Sequence, residues 1–149
     1  MTIQDRLDAM GVRVSHKRSS WMMRFIGLIL PAAFSTRFWT TVSGWHIHAP
    51  NGADLKALEK YESIILHELV HIRQARRFPG HWQLSYLLLP LPIGLAWFRW
   101  LWEREAYLVN IRAGTMSAED VVQTLGSVNY FWSWPRPWMR RWFKKAEKR

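Results

Sequence analysis

The sequence predicts an α+β domain, and three stretches carry that reading. Residues 54–77 and 97–113 contain neither proline nor glycine and are patterned as helices, while residues 38–48 are rich in aromatic and β-branched side chains. At 149 residues the chain is long enough for one domain with a real core, and no repeat or low-complexity tract divides it.

The elements follow in order. Residues 4–10 form a short helix candidate before Gly11, and residues 21–30 a second one ended by Pro31. The strand at 38–48 breaks at Ala49, Pro50, Asn51 and Gly52. It puts His46 and His48 on one face, where two imidazoles alone make a weak metal site and read better as polar residues on a solvated face. Asp54 is placed to cap the helix of residues 54–77, whose last turn carries Arg73, Arg76 and Arg77 before Phe78, Pro79 and Gly80 stop it. His81, following that stop, reads as an exposed loop residue. Residues 84–98 are apolar but interrupted by two prolines and a glycine; lying between the helix of residues 54–77 and that of residues 97–113, which Gly114 closes, they are expected to cover the core beside the site that those two helices form. Ser117 suits the N-cap of residues 118–125, with Gly126 at the stop. Beyond Pro137 the chain is again helix-compatible, with Trp138 and Trp142 on one face and Arg141 and Lys145 toward its side.

Chemistry concentrates at His67, Glu68, Leu69, Val70 and His71, an HExxH pattern. On a helix the two histidines lie one above the other, close enough for both imidazoles to hold one zinc ion, and Glu68 is placed as a general base toward a water on that ion. A coincidental match would leave these residues solvated. Leu58, Ile64, Ile65, Leu69, Val70 and Ile72 instead place the motif on a buried helix, where its polar groups are costly unless coordinated. A catalytic zinc needs a third protein ligand. The extension HExxHxxGxxH fails, because Gln74 and Arg77 occupy its glycine and histidine positions. The remaining candidates are Glu103 and Glu105, with helix-surface ion pairing to Arg104 and Arg112 as their alternative role.

Glu103, Arg104, Glu105, Ala106 and Tyr107 form a Glu-x-x-Ala run, and with the HExxH motif the chain resembles the gluzincins, specifically the short minigluzincin-like metallopeptidases, over residues 38–113. That resemblance implies a compact zincin-like domain with a small N-terminal sheet, an HExxH helix packed beneath it and a second helix supplying a glutamate. It implies Zn2+ held by His67, His71 and Glu103, Glu68 as general base, a strand near the metal pairing with substrate, and hydrolysis of a peptide or protein. Tyr107 departs from the aspartate usual at its position, so a supporting carboxylate is absent there. Glu105 stays open as the ligand, since Phe98, Leu101, Leu108 and Val109 give it an equally apolar face. Tyr86, Tyr107 and Tyr130 are candidate donors to a developing oxyanion.

Charge sets the range of partners. A net charge of +10 draws the chain to anionic membranes, nucleic acids or acidic polymers. Much of it lies in residues 132–149, where tryptophans alternate with Arg and Lys. This segment suits a terminal helix capping the core with solvated charges, or an anionic membrane surface; stacking on nucleic acid is the weakest of the three readings. The absence of cysteine excludes a disulfide framework and thiolate chemistry. The apolar stretches 25–34 and 84–98 fall short of membrane spans, so the chain reads as soluble or peripherally membrane-associated, with no signal peptide apparent. The rival to the peptidase is a non-catalytic zinc-binding structural or docking protein, such as a phage virion or membrane-surface component, using its basic, Trp-rich surface.

Overall fold

The structure is a computed structural model that describes residues 2–29, 37–87, 96–127, 130 and 134–147. The chain begins with a capping box: the Thr2 hydroxyl accepts from the Asp5 N–H and the Asp5 carboxylate accepts from the Thr2 N–H, starting α1 (Ile3–Ala9). Gly11, at φ 58°, supplies the left-handed turn into β1 (Arg13–His16). A 3-10 turn at Lys17–Ser19 leads to α2 (Trp21–Ile29). Next come β2 (Thr40–Ser43), β3 (His46–Ala49) and α3 (Glu62–Arg77). Then α4 (His81–Leu87), α5 (Ala96–Arg112), α6 (Ala118–Leu125) and α7 (Arg136–Ala146) follow. The fold is α+β, with the sheet ordered β1-β3-β2, β1 parallel and β2 antiparallel to β3.

Two hydrophobic clusters organise these elements. One gathers Ile3 and Leu7 of α1, Val12, Ile47 of β3, and Ile65, Leu69 and Ile72 of α3. The other gathers Trp100 and Tyr107 of α5, Val121, Val122 and Leu125 of α6, and Met139 and Phe143 of α7. Each fully buried side chain of this kind contributes roughly 1.5–3 kcal/mol. Helices α3 and α5 pack along one another between the clusters, with α3 also against β2.

Several expectations need correction. The helix expected from Asp54 begins at Glu62, after a 3-10 turn at Leu58–Tyr61. Asp54 instead folds a turn by accepting from the Lys56 N–H, and Glu59 points away to accept from the Ile3 N–H at the start of α1. The single strand expected at 38–48 is a hairpin. Its reversal at Gly44 and Trp45 lies under Arg76, whose Nε donates to the Gly44 carbonyl at 2.6 Å and whose guanidinium covers the Trp45 ring at 4.5 Å. A Cβ on Gly44 would meet Arg76 Cγ at 2.7 Å, so a larger residue there would displace the Arg76 side chain. The Ser43-Gly44 pair was the sequence signal for that turn. Strand β1 was not expected at all, although Val12 and Val14 alternate with polar residues just after Gly11. Most of the 84–98 stretch and the Pro31 stop lie outside the described residues. Among the described residues no helix is long and apolar enough to cross a membrane.

Candidate metal centre

Helix geometry builds the site from two directions. His67, Glu68 and His71 occupy the inner side of α3, and Glu103, Tyr107 and Asn110 form a stripe along α5, separated by four and three residues. All six are buried, Glu103 to 1% exposure. Glu103 Oε2 lies 3.3 Å from His67 Nε2 and 3.6 Å from His71 Nε2. One ligand atom from each of the three residues falls within 4.8 Å of the others, and among the described residues this is the one group of three able to hold a metal ion.

Hydrogen bonds fix which nitrogen each imidazole presents. The Asn110 Nδ2 donates to the Ser63 carbonyl, so its Oδ1 is the atom that meets His67 Nδ1, at 3.0 Å. Gln74 Nε2 donates to the Trp102 carbonyl and to Glu105, so its Oε1 faces His71 Nδ1, at 2.9 Å. Because an amide oxygen only accepts, both Nδ1 atoms carry a proton, and both Nε2 atoms converge on Glu103. The donor set suits a tetrahedral ion: ligands held about 2.0–2.1 Å from one centre stand roughly 3.3 Å apart, close to the two separations between Glu103 and the imidazoles.

Electrostatics point the same way. Burial alone would lower the His71 pKa, but the Glu103 carboxylate, with Glu68 and Gln74, raises it to about 9. Burial alone would raise Glu103, but His71 and His67 hold it far below the usual carboxylate range. The pocket thus keeps a negative oxygen and a proton where a divalent cation would be favoured by the same charges.

Around this triad the remaining residues sort themselves. Glu68 is 6% exposed and accepts a 2.6 Å hydrogen bond from the Thr41 hydroxyl of β2. Tyr107 packs its ring edge-on against His67 at 4.5 Å, with its hydroxyl 2.7 Å from that of Tyr130. Burial first, then the Glu103 charge, push the Tyr107 pKa up, so it remains a protonated donor. The side chain of Tyr86 lies outside the described residues. Glu105 is exposed and turned to Gln74, so the structure separates it from the triad. His81 is an exposed residue at the start of α4, against Phe98 and Trp102. Trp82, beside it, is buried and packs against His71.

Two of these partners were missed in the sequence. Gln74 was noticed only for failing the longer histidine pattern, yet it positions His71. Asn110 supplies the acceptor that Tyr107 was expected to leave missing. The signal was a polar residue two turns after Glu103 on the same face. His46 and His48 also depart from the solvated face expected of them: His48 is 4% exposed, and their rings stack at 4.4 Å. His46 Nε2 pairs with the Ser15 hydroxyl at 2.7 Å. Burial, then His46 and Lys17, lower the His48 pKa to about 4, so it is neutral at neutral pH.

Comparison with protein-family models, curated proteins and solved structures finds no match for this chain.

Proposed function

We propose that this chain is a zinc-dependent peptidase of zincin-like, gluzincin type, with His67, His71 and Glu103 holding the metal and Glu68 as general base. The single observation that carries the proposal is the convergence of two oriented imidazoles and one buried carboxylate beside a glutamate whose own carboxylate is held by Thr41. Two nitrogens and one oxygen are the ligand set of catalytic zinc, which leaves a position for water.

When bound, zinc supplies a Lewis acid that lowers the pKa of water and polarises a carbonyl. The chain's residues do the rest. Thr41 donates to Glu68 Oε2, so one carboxylate oxygen is anchored and the other is left to take a proton from the attacking water and pass it to the leaving amine. Tyr107, kept protonated and paired with Tyr130, is a donor to the developing oxyanion. Strand β2 is an edge of the sheet and lies against α3 at Glu68, which suits an extended substrate backbone adding alongside it.

A second reading has a specific observation in its favour. The triad joins α3 of one hydrophobic cluster to α5 of the other, as a purely structural metal would. Glu68→Gln separates the two. It keeps the Thr41 contact and the ligands, and the peptidase reading expects zinc content near one per chain with hydrolysis of a casein-type substrate reduced by about 10²–10⁴-fold. Equal hydrolysis by variant and wild type would remove Glu68 from the mechanism, and absence of hydrolysis in a zinc-loaded wild type would favour the structural metal.

A further inference from the structure

Helix α2 carries apolar side chains on two opposite faces, and the fold uses one of them. Met23 is buried, whereas Trp21, Phe25 and Leu28 are 81%, 61% and 84% exposed. Spaced i, i+4 and i+7, these three fall within about 60° of one another around the helix, with Met23 on the far side and Arg24 at the edge of the stripe. They border a groove of about 570 Å³ whose lining includes Arg18 and Arg24 and, among the described residues, no carboxylate. Arg18 and Arg24 are exposed, and neither pairs with a carboxylate among the described residues.

We propose that this face docks on an anionic lipid bilayer, with Trp21, Phe25 and Leu28 entering the headgroup boundary and Arg18 and Arg24 meeting lipid phosphates. Charge complementarity identifies the occupant: two exposed guanidiniums, Arg18 and Arg24, that meet no carboxylate among the described residues, on a chain of net charge +10, are attracted to a negative surface before contact. The stripe then distinguishes a bilayer from nucleic acid. Bases stack on flat rings, whereas Leu28, the most exposed of the three, offers an aliphatic side chain suited to acyl chains. The C-terminal helix, although more basic, has already used its apolar face, since Met139 and Phe143 are buried against α5 and α6. The proposal is independent of the chemistry at the metal centre.

Vesicle co-sedimentation tests it, using phosphatidylcholine with about one third phosphatidylglycerol against phosphatidylcholine alone. The full chain is expected to bind the anionic vesicles. The exposed triple substitution Trp21→Ser, Phe25→Ser, Leu28→Ser and the pair Arg18→Ala, Arg24→Ala are each expected to weaken that binding by roughly tenfold or more, while Trp138→Ala leaves it unchanged. Because the chain has no cysteine, Leu28→Cys carrying an environment-sensitive fluorophore gives a second readout that does not depend on the triple variant folding. Its emission is expected to shift to the blue with anionic vesicles, and that of Ala113→Cys to stay constant. An unshifted Leu28 label, or triple-variant binding equal to wild type, overturns the proposal. So does a triple variant that loses affinity for a single-stranded oligonucleotide while keeping it for vesicles.

Discussion

At the scale of single residues, the site is decided by amides as much as by ligands. Gln74 and Asn110 each spend their NH2 on a backbone carbonyl, which forces their oxygens toward His71 and His67. Removing either acceptor frees a ring to rotate, so Gln74→Ala and Asn110→Ala are each expected to weaken zinc affinity by about 10–100-fold, measured by competition with a chromogenic chelator. In the same titration Glu103→Ala is expected to abolish stoichiometric binding. Glu105→Ala acts only through its contact with Gln74 and should retain it. Loss of stoichiometric zinc in the Glu105 variant alone would reverse the assignment. The HExxH residues were legible from spacing, because four positions on a helix is a fixed geometry. The preference for Glu103 over Glu105 rested only on a loose Glu-x-x-Ala match, because which of two glutamates two residues apart is buried against the histidines, and which is left exposed beside Gln74, depends on how α5 packs on α3.

At the scale of elements, two helices do work that their composition disguised. Arg76 was legible as a positive charge at a helix end. In the structure it also ties α3 to the turn after α1 and to the β2–β3 reversal, donating at 2.6 Å to both the Met10 and Gly44 carbonyls. Hydrogen bonds from a charged donor contribute about 1.5–3 kcal/mol, so Arg76→Ala is expected to lose about that much stability in urea unfolding, whereas exposed Arg77→Ala should stay within about 0.5 kcal/mol. The C-terminal helix α7 shows the opposite disguise. Its tryptophans and charges suited either a helix capping the core or a surface role, and its inward face is Met139 and Phe143, both fully buried. Phe143→Ala is expected to cost about 3–5 kcal/mol, and Trp138→Ala, at a largely exposed position, about 0.5 kcal/mol or less. Similar losses for the two would show that α7 does not dock as described. The Ser117 cap was legible because caps are local, and α6 runs from Ala118 to Leu125 as its sequence indicated; the structure adds Asp120, which completes a capping box.

At the scale of the whole molecule, the candidate metal centre spans α3 and α5, which belong to different hydrophobic clusters, so its charge state is coupled to folding. With metal removed by chelation, His71 is raised from its ordinary 6.5 to about 9 by the Glu103 charge acting against burial. Its contribution to stability is therefore complete below about 6.5 and lost as pH rises toward 9. Glu103 is held far below its ordinary 4.5, so its contribution is complete above about 4.5 and lost on acidification. His48, lowered to about 4 by burial and its cationic neighbours, adds stability as pH rises to 6.5. Lys17, lowered to about 8 by burial against the pull of Glu68, opposes the His71 loss only above that value. The metal-free protein is thus expected to have its highest melting temperature near pH 6.5 and to lose stability between about 6.5 and 8. Zinc at about 100 times its dissociation constant adds roughly 2.7 kcal/mol and requires neutral imidazoles, so the loaded protein should show no such fall. A metal-free melting profile that stays flat or rises over that interval would contradict the coupling.

By itself the sequence determined the local facts: the α+β class, the helices that carry the motif and its partner glutamates, the Ser117 cap, and the histidine pair four residues apart. These depend on periodicity and on interactions within a turn or two, which a linear string records. Only the tertiary structure decided that Glu103 rather than Glu105 meets the histidines, that Gln74 and Asn110 orient them, that Thr41 holds Glu68, and that α2 rather than α7 leaves an apolar stripe exposed. Each of those is a contact between elements distant in sequence or a question of which face is covered. Such facts are set by how α3, α5 and the sheet pack, and no single segment carries them.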